Sequence, residues 1–244
     1  INISEELSLG FGSDYNYTKG DFQINGSWGS SAKGHMDNFG IFSNAGYKIN
    51  DSTILSFHAR GDSHKYSQEN LTYRINATKL INRFTLSFSE STGLRHPDLY
   101  VLHGAEPSGS FKAMKTTKPE TSLTREFSLN YDLTDSTSFV TTAYKGQISD
   151  VLNRSRTTNG YNEIIDINQK GLESSFIINN KDNKLTLSSI FSKSREADGD
   201  PQQRRPEKQF GIKYSKKINS SLIGPFYLNY DYRHIGKVED WKNG

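Results

Sequence analysis

Six histidines (His35, His58, His64, His96, His103 and His234) are the side chains of this 244-residue chain best suited to metal or acid–base work. Their spacing builds no reactive arrangement. No pair stands four apart with an intervening glutamate, the pattern that puts two imidazoles on one helix face around zinc. No serine occupies a GxSxG elbow. The chain has no cysteine, so thiolate nucleophiles, disulfide frameworks and cysteine-held zinc are excluded. His96 and His103 flank a long loop and could reach a metal chelate from it; a solvated loop histidine is the plainer reading. Glu196, Asp198 and Asp200 surround Gly199 and could hold calcium, but they miss the EF-hand spacing and equally make a polar turn. Arg204 and Arg205 suit either an anionic ligand or the anchoring of a strand start. Arg95 suits either an inward structural role or a ligand contact. No cofactor or resident metal is expected, and no residue set supports an enzyme.

The elements that must position these residues follow a period of two. Phe84, Leu86 and Phe88 alternate with Thr85, Ser87 and Ser89. Leu123, Phe127, Leu129, Tyr131 and Leu133 alternate with Thr124, Glu126, Ser128, Asn130 and Asp132. Such alternation is a strand with unlike faces. A helical period is absent except over Pro97 to Gly104. Tight polar breaks at Asn50-Asp51-Ser52, Ile81-Asn82, Thr134-Asp135-Ser136, Lys181-Asp182-Asn183 and Asn219-Ser220 have hairpin character. Longer breaks lie near Ser30 to His35, Gly93 to Lys118, Arg154 to Gly160 and Glu196 to Pro206. The expected strands are 2–17, 21–30, 37–49, 53–64, 67–79, 83–92, 119–133, 137–152, 161–180, 184–196, 207–218 and 224–237. This is an all-β chain of twelve strands in up-and-down order, with short turns at one end and long loops at the other. The stretch 93–118 is too long for a structureless connection and reads as a functional loop.

Composition narrows the class. Only 33% of residues are apolar, yet 12% are aromatic, which argues for order. Thirty basic residues against 27 acidic give a net charge of +3, too balanced for a nucleic-acid surface. The longest apolar run is Leu99 to Leu102, far short of the roughly 20 residues of a membrane-spanning helix. Two architectures share the alternation. In a soluble sandwich the apolar face packs on a second sheet. In a membrane barrel it faces lipid while the polar face lines a wet interior. Strands of 12 to 20 residues exceed the usual length of about 5–6 in soluble proteins. Glu126, Asp132, Asp231 and Arg233 on the polar faces suit a hydrated lumen. Tyr47, Tyr131, Tyr230 and Tyr232 suit interfacial girdles. The barrel is favoured.

The segment GLRHPDLYVLHG (93–104), followed after a loop by KPETSLTREFSLNYDL (118–133), resembles the TonB-dependent outer-membrane transporter family. Arg95, Pro97, Leu99, Tyr100 and Gly104 match its first barrel segment. Lys118, Pro119, Glu120 and Ser122 match the second, with Glu126 beyond. The strand segment YKGQISDVL, Gly171 and Glu173 in NQKGLESSFIINN, Arg204, Arg205 and Pro206 in RRPEKQFGIKY, and Tyr230, Tyr232, Gly236 and Asp240 in YDYRHIGKVED continue the resemblance in order. It departs at SGSFKAMKTT, which replaces the family's loop apex, and at Leu94, where an aromatic is usual. Within the family the layout most resembles the cobalamin receptor.

The resemblance implies a partial transmembrane barrel, about twelve strands of about 22. The domain reading is therefore that residues 1–244 are a fragment of such a barrel, without plug domain or final strands. It also implies energised import of a metal chelate, a corrinoid or a ferric siderophore, bound by extracellular loops. Arg95, Tyr100, His103, Arg204 and Arg205 are the candidate contacts. The partners implied are outer-membrane lipid and lipopolysaccharide, the protein's own plug domain, and TonB through that plug, with the bacterial outer membrane as location. The alternatives are a passive porin-like channel and a soluble β-sandwich binding or adhesion protein.

Overall fold

The computed structural model describes residues 4–25, 29–105, 118–153 and 163–239. Its strands are β1 (Leu7–Ile24), β2 (Ser30–Asn50), β3 (Thr53–His64), β4 (Ser67–Ile81), β5 (Phe84–Arg95), β6 (Gly104–Ala105), β7 (Glu120–Thr134), β8 (Thr137–Asn153), β9 (Glu163–Asn179), β10 (Asn183–Glu196), β11 (Lys208–Ser220) and β12 (Gly224–Ile235), with one short helix, α1 (Leu99–His103). The long strands form a single antiparallel meander in chain order, and β6 lies off that path against β2. Among the described residues the sheet is open, with β1 and β12 at its edges.

Two expectations fail at the N-terminal end. The strands expected at 2–17 and 21–30 are largely one strand, β1. The break expected near Ser30 to His35 is the start of β2. Gly20 does not turn the chain; it pairs with Gly34 in continuous register. It is glycine because the Leu99 side chain occupies the place its Cβ would take, 2.3 Å away. The match in strand number is therefore fortuitous, since β6 replaces the strand lost by that fusion. The break expected at Arg154 to Gly160 lies outside the described residues.

Turn chemistry separates the two ends. At one end β2–β3, β4–β5 and β7–β8 are joined by two residues each, and β9–β10 and β11–β12 by three. Asn82 adopts a φ of 52°, the left-handed geometry that two-residue hairpin turns require and asparagine tolerates. At the other end most connections are longer. The exception is β3–β4, closed by Lys65 and Tyr66. Because β3 stops at the pairing of His64 with Asn38, the upper edge of β2 is left free. The chain beyond β5 uses it: Gly104 and Ala105 pair with Ala32 and Ser31.

The register sorts side chains into two faces. Leu9, Phe11 and Tyr15 of β1 stand beside Phe39, Ile41 and Tyr47 of β2, and the same face continues through Phe57, Ile75, Phe88, Phe127, Leu172, Leu187, Ile212 and Tyr230. Phe84 and Tyr131 stack on it near the short turns, with ring centroids 4.2 Å apart. The opposite face carries Asp14, Arg60, Asp62, Glu126, Asn130, Asp132, Asp231 and Arg233. The segment running from β5 to β2 lies across this polar face, with Leu99 against Gly20 and His103 against Gly34, so the polar face is the inside of the curve. Among the described residues no second sheet covers the apolar face, and apart from Pro119 the only buried apolar side chains are Ala32, Leu102 and Ile167. The described residues therefore form a single layer and no sandwich. The apolar surface is turned outward, as a lipid-facing wall requires.

Candidate functional site

The polar face concentrates its chemistry near the long-loop end, beneath α1. On β3, Arg60, Asp62 and His64 alternate at period two and so point the same way. Arg60 grips two carboxylates at once. It donates to both Asp14 oxygens at 2.6 and 3.0 Å and to both Asp62 oxygens at 2.8 and 2.7 Å. Asn38 donates a further hydrogen bond to Asp62, at 2.8 Å. Glycine at position 40 makes room, because a Cβ there would meet the Arg60 guanidinium at 2.1 Å. The planar fork of arginine suits such bidentate geometry in a way a lysine would not.

Above this ion cluster the imidazoles gather. His64 and His96 stack with ring centroids 4.3 Å apart and an interplanar angle of 11°. The Tyr66 N–H donates to His64 Nδ1 at 3.3 Å, leaving the proton of a neutral ring on Nε2. His96 Nδ1 meets Ser67 Oγ at 2.8 Å. His103 meets Tyr66 edge-on at 5.3 Å. The Nε2 atoms of both His96 and His103 are buried without a hydrogen-bond partner among the described residues. Burial, and next the neighbouring His64, hold His96 below the usual imidazole value despite the opposing pull of Asp62. A neutral imidazole with a free nitrogen can accept from a ligand donor or coordinate a borderline metal. Among the described residues no three histidine or acidic side chains are placed to hold a metal ion by themselves. This cluster can engage a metal only together with donors that the ligand brings.

α1 sets this cluster's ceiling. The Asp98 carboxylate caps it by accepting the Val101 N–H at 2.9 Å, and the Gly104 N–H closes it on the Tyr100 carbonyl. A Cβ on Gly104 would stand 2.4 Å from that carbonyl oxygen, which explains the motif glycine. Pro97 stands just before the cap. Leu102 is fully buried beneath the helix, and Phe22 of β1 stacks on Tyr100.

On the other side of α1 lies a cavity of about 290 Å³, lined by Arg95, His96, Pro97, Tyr100, Lys118 and Glu120 among others. Arg95 and Glu120 come from the two motif segments and are direct cross-strand partners, with a 3.3 Å ion pair. The structure thus joins Arg95, Tyr100, Pro97, Glu120 and His96 around one space. His103 and Leu99 face β1 and β2 instead. Pro119 is buried at the start of β7.

Arg204 and Arg205 are exposed in the β10–β11 connection and line neither this cavity nor the histidine cluster. Arg204 has a φ of 59° and its N–H bonds the Glu239 carbonyl at 2.9 Å, while the Pro206 carbonyl accepts from Ser192 Oγ at 3.2 Å. Gly171 leaves space for the Tyr144 ring of the adjacent strand, whose atoms a Cβ would approach to 2.6 Å. Glu173 is exposed on the polar face. Asp198 accepts the Asp200 N–H at 3.0 Å in a tight turn, while Glu196 is buried at the end of β10. The reading of sequence motifs missed Asp14, Arg60, Asp62 and Tyr66, and named His64 only as one of six histidines. Their signal was Arg60-x-Asp62-x-His64, three polar groups on one face of a strand whose other face is apolar.

An open antiparallel meander of long strands, polar inside and apolar outside, with tight turns at one end, defines the wall of a membrane β-barrel. The chain belongs to the family described as TonB dependent receptor-like, beta-barrel, which matches residues 2–242. No protein of curated function matches it in sequence. Solved structures share its fold. The ferric yersiniabactin uptake receptor FyuA from Yersinia pestis superposes with a TM-score of 0.73 at 11% identity, over 97% of this chain and 41% of that one. The FrpB iron transporter from Neisseria meningitidis (F3-3 variant) gives 0.69 at 13%, over 96% and 41%. The copper transporter OprC gives 0.68 at 14%, over 88% and 39%. The chain therefore spans about two fifths of the length of these structures.

Proposed function

We propose that this chain forms part of the wall of an importer in the bacterial outer membrane, which passes a metal chelate through a plugged barrel by TonB-dependent transport. The observation that carries this reading is the pair of buried, unpartnered imidazole nitrogens, on His96 and His103, at the long-loop end of a polar inner face. Each presents a hydrogen-bonding nitrogen, donor or acceptor according to the ring's tautomer, to a polar ligand arriving from the loop side, and the charged cavity of Arg95, Lys118 and Glu120 lies beside them. The ligand is a metal chelate, a ferric siderophore or a corrinoid. Glu126, Asn130, Asp132, Asp231 and Arg233 face inward, where they present hydrogen-bonding groups to a plug domain. The plug carries the contact with TonB. Further strands of the same protein pair with β1 and β12, because lipid does not tolerate open sheet edges.

The test is binding of ferric siderophores and cyanocobalamin to the full-length protein, beside its His96→Ala/His103→Ala variant. We expect one chelate class to bind, and the variant to lose about tenfold in affinity, equivalent to one charge-free hydrogen bond of roughly 1.4 kcal/mol. Failure of every chelate to bind, or solute flux independent of TonB, would instead indicate a passive channel.

A further inference from the structure

The outward face is not uniformly apolar. Following the register from β5 to β10, one continuous rung reads Glu90, Arg125, Lys145, Lys170, Lys193. Glu90 neutralises Arg125 through a 2.5 Å ion pair. The three lysines that follow are exposed, and none of them pairs with a carboxylate among the described residues. Glu207, nearby, is held by Arg195 at 2.5 Å. Adjacent strands lie about 4.7–4.9 Å apart, and like charges directly opposite one another destabilise a sheet. Three unneutralised ammonium groups in one rung therefore call for an anion from outside the chain.

Position says which anion. Lys145 lies on β8, which leaves its short turn at Thr137; Lys170 lies on β9, which enters its short turn at Asn179; Lys193 lies on β10, which leaves that turn at Asn183. Each lysine is thus eight to ten residues from the turn. A tilted strand crosses the hydrocarbon in about 9–11 residues. The lysines accordingly stand where the apolar band ends toward the long loops, at headgroup level, the depth at which a cation on the lipid face is tolerated. The rung below is Phe127, Ala143, Leu172 and Phe191, apolar until it ends on Lys208 of β11. Between them runs a groove of about 450 Å³ lined by Lys145, Lys170, Phe191, Lys193, Glu207 and Lys208. It offers cations at one level and an apolar wall at the next, which is the amphipathic order of a phosphorylated lipid.

We propose that Lys145, Lys170 and Lys193, with Lys208, form a binding site for the phosphates of an anionic glycolipid in the leaflet at the long-loop end. Ammonium groups act as mobile point charges on phosphate oxygens, and Phe191 packs against the acyl chains below. This proposal rests on the membrane-barrel reading and deepens its lipid partner into a site.

The experiment uses the full-length protein, purified in detergent, and compares it with its K145Q/K170Q/K193Q variant. Retention of bisphosphorylated lipid A, of the same lipid stripped of phosphate, and of inorganic phosphate is read by native mass spectrometry. We expect the wild type to retain the phosphorylated lipid and the triple variant to lose at least tenfold. The stripped lipid binds neither protein, and millimolar inorganic phosphate does not displace the lipid. Lys216→Gln, an outward lysine near the short-turn end of β11, leaves retention unchanged. Equal retention by the triple variant, or by the stripped lipid, overturns the proposal, and displacement by inorganic phosphate overturns the lipid as occupant. Heat-modifiable electrophoretic mobility of both proteins is read alongside. Loss of lipid with mobility intact concerns the site alone, whereas absence of that mobility in the wild type removes the barrel reading itself.

Discussion

At the scale of single residues, the informative groups are those held in an environment that changes their chemistry. His96 is pushed below the ordinary imidazole value of about 6.5 by burial and by the stacked His64. The unfolded chain therefore binds this proton more readily than the folded one. His96's contribution is intact above the unfolded value and is lost as pH falls through the lowered folded value. We expect amide hydrogen exchange over 96–103 to accelerate, beyond its intrinsic pH trend, as pH drops from about 7.5 to about 5. His96→Gln should abolish that extra acceleration; an unchanged acid response in that variant would remove His96 as its cause. Gly104 gives a second expectation. Gly104→Ala drives a methyl against the Tyr100 carbonyl oxygen and should destabilise the loop by about 1–3 kcal/mol, read as earlier proteolysis of 96–105. Arg95, Tyr100, Glu120 and Gly104 stood out in the sequence as motif positions. That Arg95 and Glu120 touch each other was not, because 24 intervening residues separate two strands that only the register aligns.

At the scale of elements, alternation was a reliable guide wherever side chains faced two different solvents. β5, β7 and β10 to β12 fall close to their expected bounds for that reason. It failed over β1 and the start of β2, where glycines read as turn formers. Gly20 and Gly34 instead open space for Leu99 and His103 of a helix that is remote in sequence. A residue can be glycine for a neighbour that local pattern does not reveal. The face assignment yields its own test. Leu187 lies outward near mid-band and Thr186 inward on the same strand. Leu187→Arg should cost about 2–4 kcal/mol in a vesicle unfolding titration, while Thr186→Arg, which reaches the wet interior, should cost far less. Equal costs would contradict the two faces.

For the whole molecule, the low apolar content ceases to be a puzzle. A wall that faces lipid needs apolar groups only at every second strand position, and among the described residues the buried apolar side chains are only Ala32, Leu102, Pro119 and Ile167. We expect the full-length protein to require detergent for extraction and to migrate differently before and after boiling; a monomer stable in aqueous buffer would defeat the barrel reading. The sequence by itself determined the strands from β3 onward, their two faces and the motif residues, because alternation and turn chemistry are local. The tertiary structure decided three things: the curl that makes the polar face the inside, the return of α1 and β6 across β1 and β2, and the convergence of His64, His96 and His103. The same register gathers Lys145, Lys170 and Lys193 on the opposite face. Each of these depends on which strands lie side by side, and that pairing brings together residues tens of positions apart.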